Sequence, residues 1–98
     1  MNYEAKYLEI IKQILFKHVD QRSCRVFLFG SRASGTHERH SDVDIGIEGQ
    51  SEIDSITLTR IKSEIEDSIV PYRVDVVDFY AADQAFKDIA LKDIIPWN

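Results

Sequence analysis

The 98 residues are the length of one domain, so 1–98 is read as a single unit with no room for a separate substrate domain. The composition, 44% hydrophobic and 30% charged, is that of a globular protein, and no stretch approaches the ~20 apolar residues of a membrane span. A net charge of −5, from 17 acidic and 12 basic side chains, argues against affinity that rests on neutralising a nucleic-acid backbone.

These features, with an N-terminus lacking a signal-peptide pattern, lead us to expect a cytoplasmic protein with no membrane association and no direct nucleic-acid binding. Nucleotide binding stays open, because a bound metal ion can supply positive charge locally. Cys24 is the only cysteine, which rules out an internal disulfide, and its setting, Cys24 to Phe29, reads as a strand and suits a structural thiol.

In chain order, Tyr7, Ile11, Ile14, Leu15 and Val19 recur at helical spacing. Glu4, Glu9, Lys12, Gln13 and Lys17 fill the intervening face, so Tyr3 to Val19 is predicted to be an amphipathic helix. Arg25 to Phe29 is an apolar run ending at Gly30, as expected of a buried strand. Residues 30–40 are rich in Gly, Ser and charge and are predicted to form a polar turn region. From Asp42 to Glu48 the chain alternates strictly, with Val43, Ile45 and Ile47 on one face of a strand.

Ser51 and Asp54 have the look of a capping box before a second helix carrying Ile53, Leu58, Ile61 and Ile65, which Pro71 ends. Arg73 to Phe79 is predicted to be a third strand and Ala82 to Lys92 a last helix. The order α-β-β-α-β-α implies an α/β (α+β) fold, a small mixed sheet with helices packed on one face.

The chemistry concentrates in two segments. Asp42 and Asp44 lie two apart on a strand, so both carboxylates should project from one face. Neighbouring anions repel, and a compensating cation is the usual reason to keep them together. Carboxylate oxygens are hard ligands suited to Mg²⁺ or Mn²⁺. Alone, Asp-x-Asp is more often a solvated strand edge. The pair gains meaning from Gly30-Ser31, with ten residues between Ser31 and Asp42. A glycine at a strand end lets backbone approach a phosphate, and the Ser31 hydroxyl and nearby N–H groups can donate to its oxygens.

Asp75, an interior charge in the third strand, is the expected third carboxylate if that strand neighbours the Asp42–Asp44 strand. Asp78 competes for this role, but its parity puts it on the opposite face.

Gly30-Ser31-Arg32-Ala33-Ser34-Gly35 followed by Ser41-Asp42-Val43-Asp44-Ile45 resembles the signature of minimal nucleotidyltransferases, a branch of the DNA polymerase β-like nucleotidyltransferase superfamily. The resemblance runs from the first helix to the strand carrying Asp75 and implies the core nucleotidyltransferase fold. It implies triphosphate binding at Gly30 and Ser31, and catalytic metal at Asp42, Asp44 and Asp75, with Mg²⁺ or Mn²⁺ as cofactor. Stand-alone members are often the antitoxin of a bacterial pair whose toxin is a helical HEPN-domain protein. The resemblance therefore implies ATP as donor, a toxin tyrosine as acceptor of AMP, and a hetero-oligomer with the toxin.

Other residues carry weaker signals. Arg32 either steadies the triphosphate or braces the loop through Asp42 or another carboxylate. His37 and His40, in the loop Thr36-His37-Glu38-Arg39-His40, are read as solvated rather than zinc-binding. Ser34 and Gly35 are expected to set the loop conformation. Trp97, Phe86 and Tyr80 are read as cover for the sheet before they are read as partner-facing aromatics. Glu48 is left unassigned. Two rival functions stay open: a non-catalytic antitoxin that neutralises by binding, and a nucleotidyltransferase with a small-molecule acceptor.

Overall fold

The computed structural model describes residues 3–38 and 40–98. Helix α1 (Tyr3–His18) leads into strand β1 (Arg25–Phe29), followed by one helical turn, α2 (Ser31–Ser34). Strand β2 (Val43–Glu48), helix α3 (Ser55–Glu66) and strand β3 (Val74–Asp78) come next, then helix α4 (Gln84–Ala90) and the two-residue strand β4 (Ile95–Pro96). The sheet order is β3-β2-β1-β4. β1 runs antiparallel to β2 and β4, whereas β2 and β3 are parallel, so the sheet is mixed as expected.

Strand periodicity divides the apolar residues between two cores. Val26 and Leu28 of β1, Val43, Ile45 and Ile47 of β2, and Val76 of β3 form one buried cluster with Ile11, Ile14 and Leu15 of α1 and Ile61 and Ile65 of α3. Burying each such side chain contributes on the order of 1.5–3 kcal/mol, which makes this the principal driving force for the fold. At the far ends of the two helices, Glu64 accepts from Lys17 and lies 3.0 Å from His18 Nε2. These two bonds hold the Glu64 carboxyl below the usual carboxylate range.

The opposite face carries Phe27, Phe29 and Phe79, against which Val77, Ala90, Leu91 and Ile94 pack. The two long helices thus share one face as expected, while the short α4 covers part of the other. Gly46 makes this second core possible. A Cβ there would lie 2.4 Å from Phe27 Cε2 and 2.7 Å from Phe79 Cε1.

Several element ends differ from expectation. The cap of α3 is Asp54, whose side chain accepts from Ile56 N at 3.0 Å. Ser51 does not take that place, and Ile53 precedes the helix. Asp83 caps α4 in the same way, accepting from Phe86 N at 2.9 Å. β4 was not expected, since Pro96 cannot donate to a ladder. It sits where edge strands tolerate proline, and Asn98 completes the pairing with its side chain. Asn98 Oδ1 accepts from Val26 N at 2.9 Å, and Nδ2 donates to the carbonyls of Gln21 and Cys24. Among the described residues no helix is long and apolar enough to cross a membrane.

Gly46→Ala should destabilise the fold by about 1–3 kcal/mol, because two packed rings must move to admit one methyl group. Equilibrium denaturation checks this, and an unchanged midpoint would show that the second core is looser than its geometry implies.

Candidate active site

The site begins where β1 ends. Gly30 has φ 73° and ψ −153°, a conformation that side-chain-bearing residues rarely adopt. Space makes a second demand for glycine, since a Cβ at Gly30 would lie 2.4 Å from Asp44 Oδ2. The Gly30 carbonyl accepts from Ala33 N and Ser34 N, both at 3.1 Å, and so starts the α2 turn at Ser31. Gly35, at φ 81°, ends the turn by donating to the Ser31 carbonyl.

Register brings the carboxylates to this turn. Phe29 is paired with Asp44 across β1 and β2, and Asp44 with Asp75 across β2 and β3. Asp44 and Asp75 are therefore side by side on the face that carries the aromatic cluster. β2 starts at Val43, so Asp42 is an exposed residue just before the strand rather than its first member. Its charge still reaches Asp44. Burial chiefly, and then the negative charges of Asp75 and Asp42, raise the Asp44 pKa above the ordinary carboxylate range, with Arg32 opposing them.

Among the described residues, no three His, Cys, Asp or Glu side chains already form a group that could hold a metal ion. Arg73 Nε lies 3.8 Å from Asp75 Oδ1. The donor set nevertheless suits a hard cation: three carboxylates, one of them made hard to ionise by burial and by its two acidic neighbours.

Beside the turn lies an open cleft of about 350 Å³ lined by Phe29, Gly30, Ser34, Phe86, Ile89, Ala90 and Asp93. Its size is that of a small-ligand site.

Residues 9–95 match the family model described as "Polymerase beta, Nucleotidyltransferase". The chain belongs to the polymerase beta nucleotidyltransferase family. It is 30% identical over 92 residues to a Haemophilus influenzae protein named "Probable protein adenylyltransferase MntA", covering 94% of this chain and 79% of that one. A crystal structure of a toxin-antitoxin with AMP-PNP superposes with a TM-score of 0.67 at 23% identity, over 87% of this chain and 70% of that one. Another holds a tri-AMPylated Shewanella oneidensis HEPN toxin in complex with MNT antitoxin. There the TM-score is 0.62 at 18% identity, over 90% of this chain and 69% of that one. At these identities the two structures establish the fold, and the family model establishes the nucleotidyltransferase class.

The remaining residues of this nucleotidyltransferase fall into place around the trio. Asp78 has structural work, accepting from Ile53 N at 2.8 Å and Tyr80 N at 3.0 Å on the far side of β3 from Asp75. Of the two readings of Arg32, its contacts are those of a brace, although through Glu4 and the Ser41 carbonyl rather than Asp42.

His37 is half-buried with Nε2 at 3.3 Å from Glu4, a partner that nothing in the sequence pattern signalled. His40 is exposed, and Arg39 of the same loop lies outside the described residues. Glu48 pairs with Arg25 at 2.6 Å. Trp97 packs against the first core, whereas Tyr80 is 52% exposed. Phe86 is intermediate, 38% exposed but with its ring 5.5 Å from Phe79 and 6.0 Å from Phe29.

The raised pKa of Asp44 gives a stability prediction with a definite sign. Its ionisation is harder in the fold than in the unfolded chain, so the cost is absent below about pH 3.9, the ordinary Asp value. The cost grows as pH rises through the folded pKa. Asp44→Asn should therefore raise the melting temperature of the metal-free protein by a few degrees near neutral pH, and the gain should vanish toward pH 3. Melts in a chelator across that range check this. A variant less stable than wild type at pH 7 would contradict the electrostatic account.

Proposed function

We propose that this nucleotidyltransferase transfers AMP from ATP to a hydroxyl of a partner protein, and that the partner is a HEPN toxin modified on a tyrosine. The observation that carries the reading is the register that sets Asp44 beside Asp75, with the charge of Asp42 in reach, at the mouth of the Gly30 turn. The adenylyltransferase name of the Haemophilus relative and the AMPylated toxin of the Shewanella complex support the choice of donor and acceptor.

In this reading the chain works as one nucleotidyltransferase domain. Gly30 keeps backbone close to the triphosphate, and the Ser31 hydroxyl and nearby N–H groups donate to phosphate oxygens. The apolar cleft beside Gly30 leaves room for the nucleoside. Asp42, Asp44 and Asp75 would hold Mg²⁺ or Mn²⁺. A divalent ion bound there neutralises phosphate charge and lowers the pKa of the attacking hydroxyl. The acceptor oxygen bonds to the α-phosphorus as the bond to the bridging oxygen breaks and pyrophosphate leaves. Asp75, half-exposed at the outer member of the pair, takes the hydroxyl proton.

Incubation with the partner, ATP and Mg²⁺ should add one or more AMP units to the partner's mass. Asp44→Ala should lower transfer by on the order of 10²–10³ or more, the scale of losing one electrostatic stabiliser, while the complex still forms. If that variant protects cells from the toxin as well as wild type does, neutralisation is by binding and the catalytic reading falls.

A further inference from the structure

We infer that Arg32 is a positioning residue, which sets the Asp42–Asp44 segment against the Gly30 turn and the Asp75 strand without touching the nucleotide. The inference rests on the metal-site reading above. Arg32 stands in the turn that the donor phosphates would meet, where a guanidinium would ordinarily be assigned to phosphate. Its side chain is only 1% exposed. Nε and Nη2 donate to the Ser41 carbonyl at 3.2 and 2.8 Å, and Nη1 pairs with Glu4 of α1. The plane lies over the Tyr72 ring, 4.4 Å from its centroid, and Tyr72 in turn meets Tyr7 edge-on at 5.8 Å.

All three nitrogens of the guanidinium are thus engaged within the protein. The groups that engage them explain why. Ser41 immediately precedes Asp42, and Tyr72 lies three residues before Asp75. Two residues on from Ser41, Val43 N donates at 2.9 Å to the carbonyl of Arg73, the residue after Tyr72, and starts the parallel pairing. Arg32 therefore ties α2, the approach to β2, the approach to β3 and α1 at the one place where the spacing of the carboxylates is set. A fork that grips one carbonyl with two donors fixes direction as well as distance, which an ammonium group cannot reproduce. Groups that orient metal ligands from behind typically change metal affinity about 10–100-fold when lost.

The test uses Mn²⁺ as probe, with its binding followed by electron paramagnetic resonance. Binding of a non-hydrolysable ATP analogue in chelator is measured separately, at a temperature where circular dichroism shows each protein folded. Arg32→Lys and Tyr72→Leu should each weaken Mn²⁺ binding about 10–100-fold and leave metal-free nucleotide affinity within about twofold of wild type. The double variant should lose little more than the worse single, because both act through one contact. In turnover, kcat should fall while KM for ATP holds.

If Arg32→Lys instead weakens metal-free nucleotide binding and Tyr72→Leu does not, Arg32 grips phosphate and the inference is overturned. Lower melting temperatures with unchanged Mn²⁺ affinity would overturn it too, by reducing Arg32 to a stabiliser of the fold. Absence of Mn²⁺ binding in wild type would overturn the metal-site reading itself, and this inference with it.

Discussion

Parallel pairing of β2 with β3 places Asp44 directly beside Asp75 on one face of the sheet, and much of the molecule is arranged around that juxtaposition. Two carboxylates in neighbouring register positions repel, and burial makes the repulsion harder for solvent to screen. Asp42 adds a third negative charge at the strand entrance, and Arg32 opposes the resulting rise in the Asp44 pKa. A sheet built solely for stability would place apolar or oppositely charged side chains at these positions. The arrangement becomes favourable when positive charge arrives from outside.

The rest of the fold supports this costly row from both sides. Below it, the large aliphatic core under α1 and α3 fixes the sheet and therefore the register. On the same face as the carboxylates, the aromatic cluster of Phe27, Phe29 and Phe79 is packed, and an open cleft lies beside Phe29 and Gly30. Two glycines permit that division of one face into a packed half and a chemical half. Gly46 admits the rings, and Gly30 admits the Asp44 side chain beside the α2 turn. Substituting either would bring a methyl group within 2.4 Å of a neighbour, at a ring in one case and at a carboxylate oxygen in the other.

Much of this was legible in the residues. Alternation from Val43 to Ile47 revealed the buried face of β2, and parity alone separated Asp75 from Asp78. The latter proved to be a cap for Ile53 and Tyr80. What was not legible depended on long-range partners. Asn98 pairs with β1 from a distance of 72 residues through its side chain, so no strand pattern announced β4. Glu4 lies 28 residues from Arg32, and nothing local tells that Arg32 is buried while Arg25 is exposed. Ser51 and Asp54 both offered an oxygen for the start of α3, and the choice fell to the residue whose side chain reaches the Ile56 amide. The face taken by α4 followed from where Phe79 emerges, which register rather than composition decides.

The central claim is that the Asp42–Asp44–Asp75 row is held together by a cation that arrives with a nucleotide. Thermal melts of the wild-type protein test it most directly, run in chelator, in Mg²⁺ alone, and in Mg²⁺ with a non-hydrolysable ATP analogue. Ligand at about 100 times its dissociation constant should stabilise the fold by ~2.7 kcal/mol, and the melting temperature should rise most when both are present. The rise should be absent in Asp75→Asn. A wild-type melting temperature that does not move with metal and nucleotide, or an equal rise in Asp75→Asn, would contradict the account.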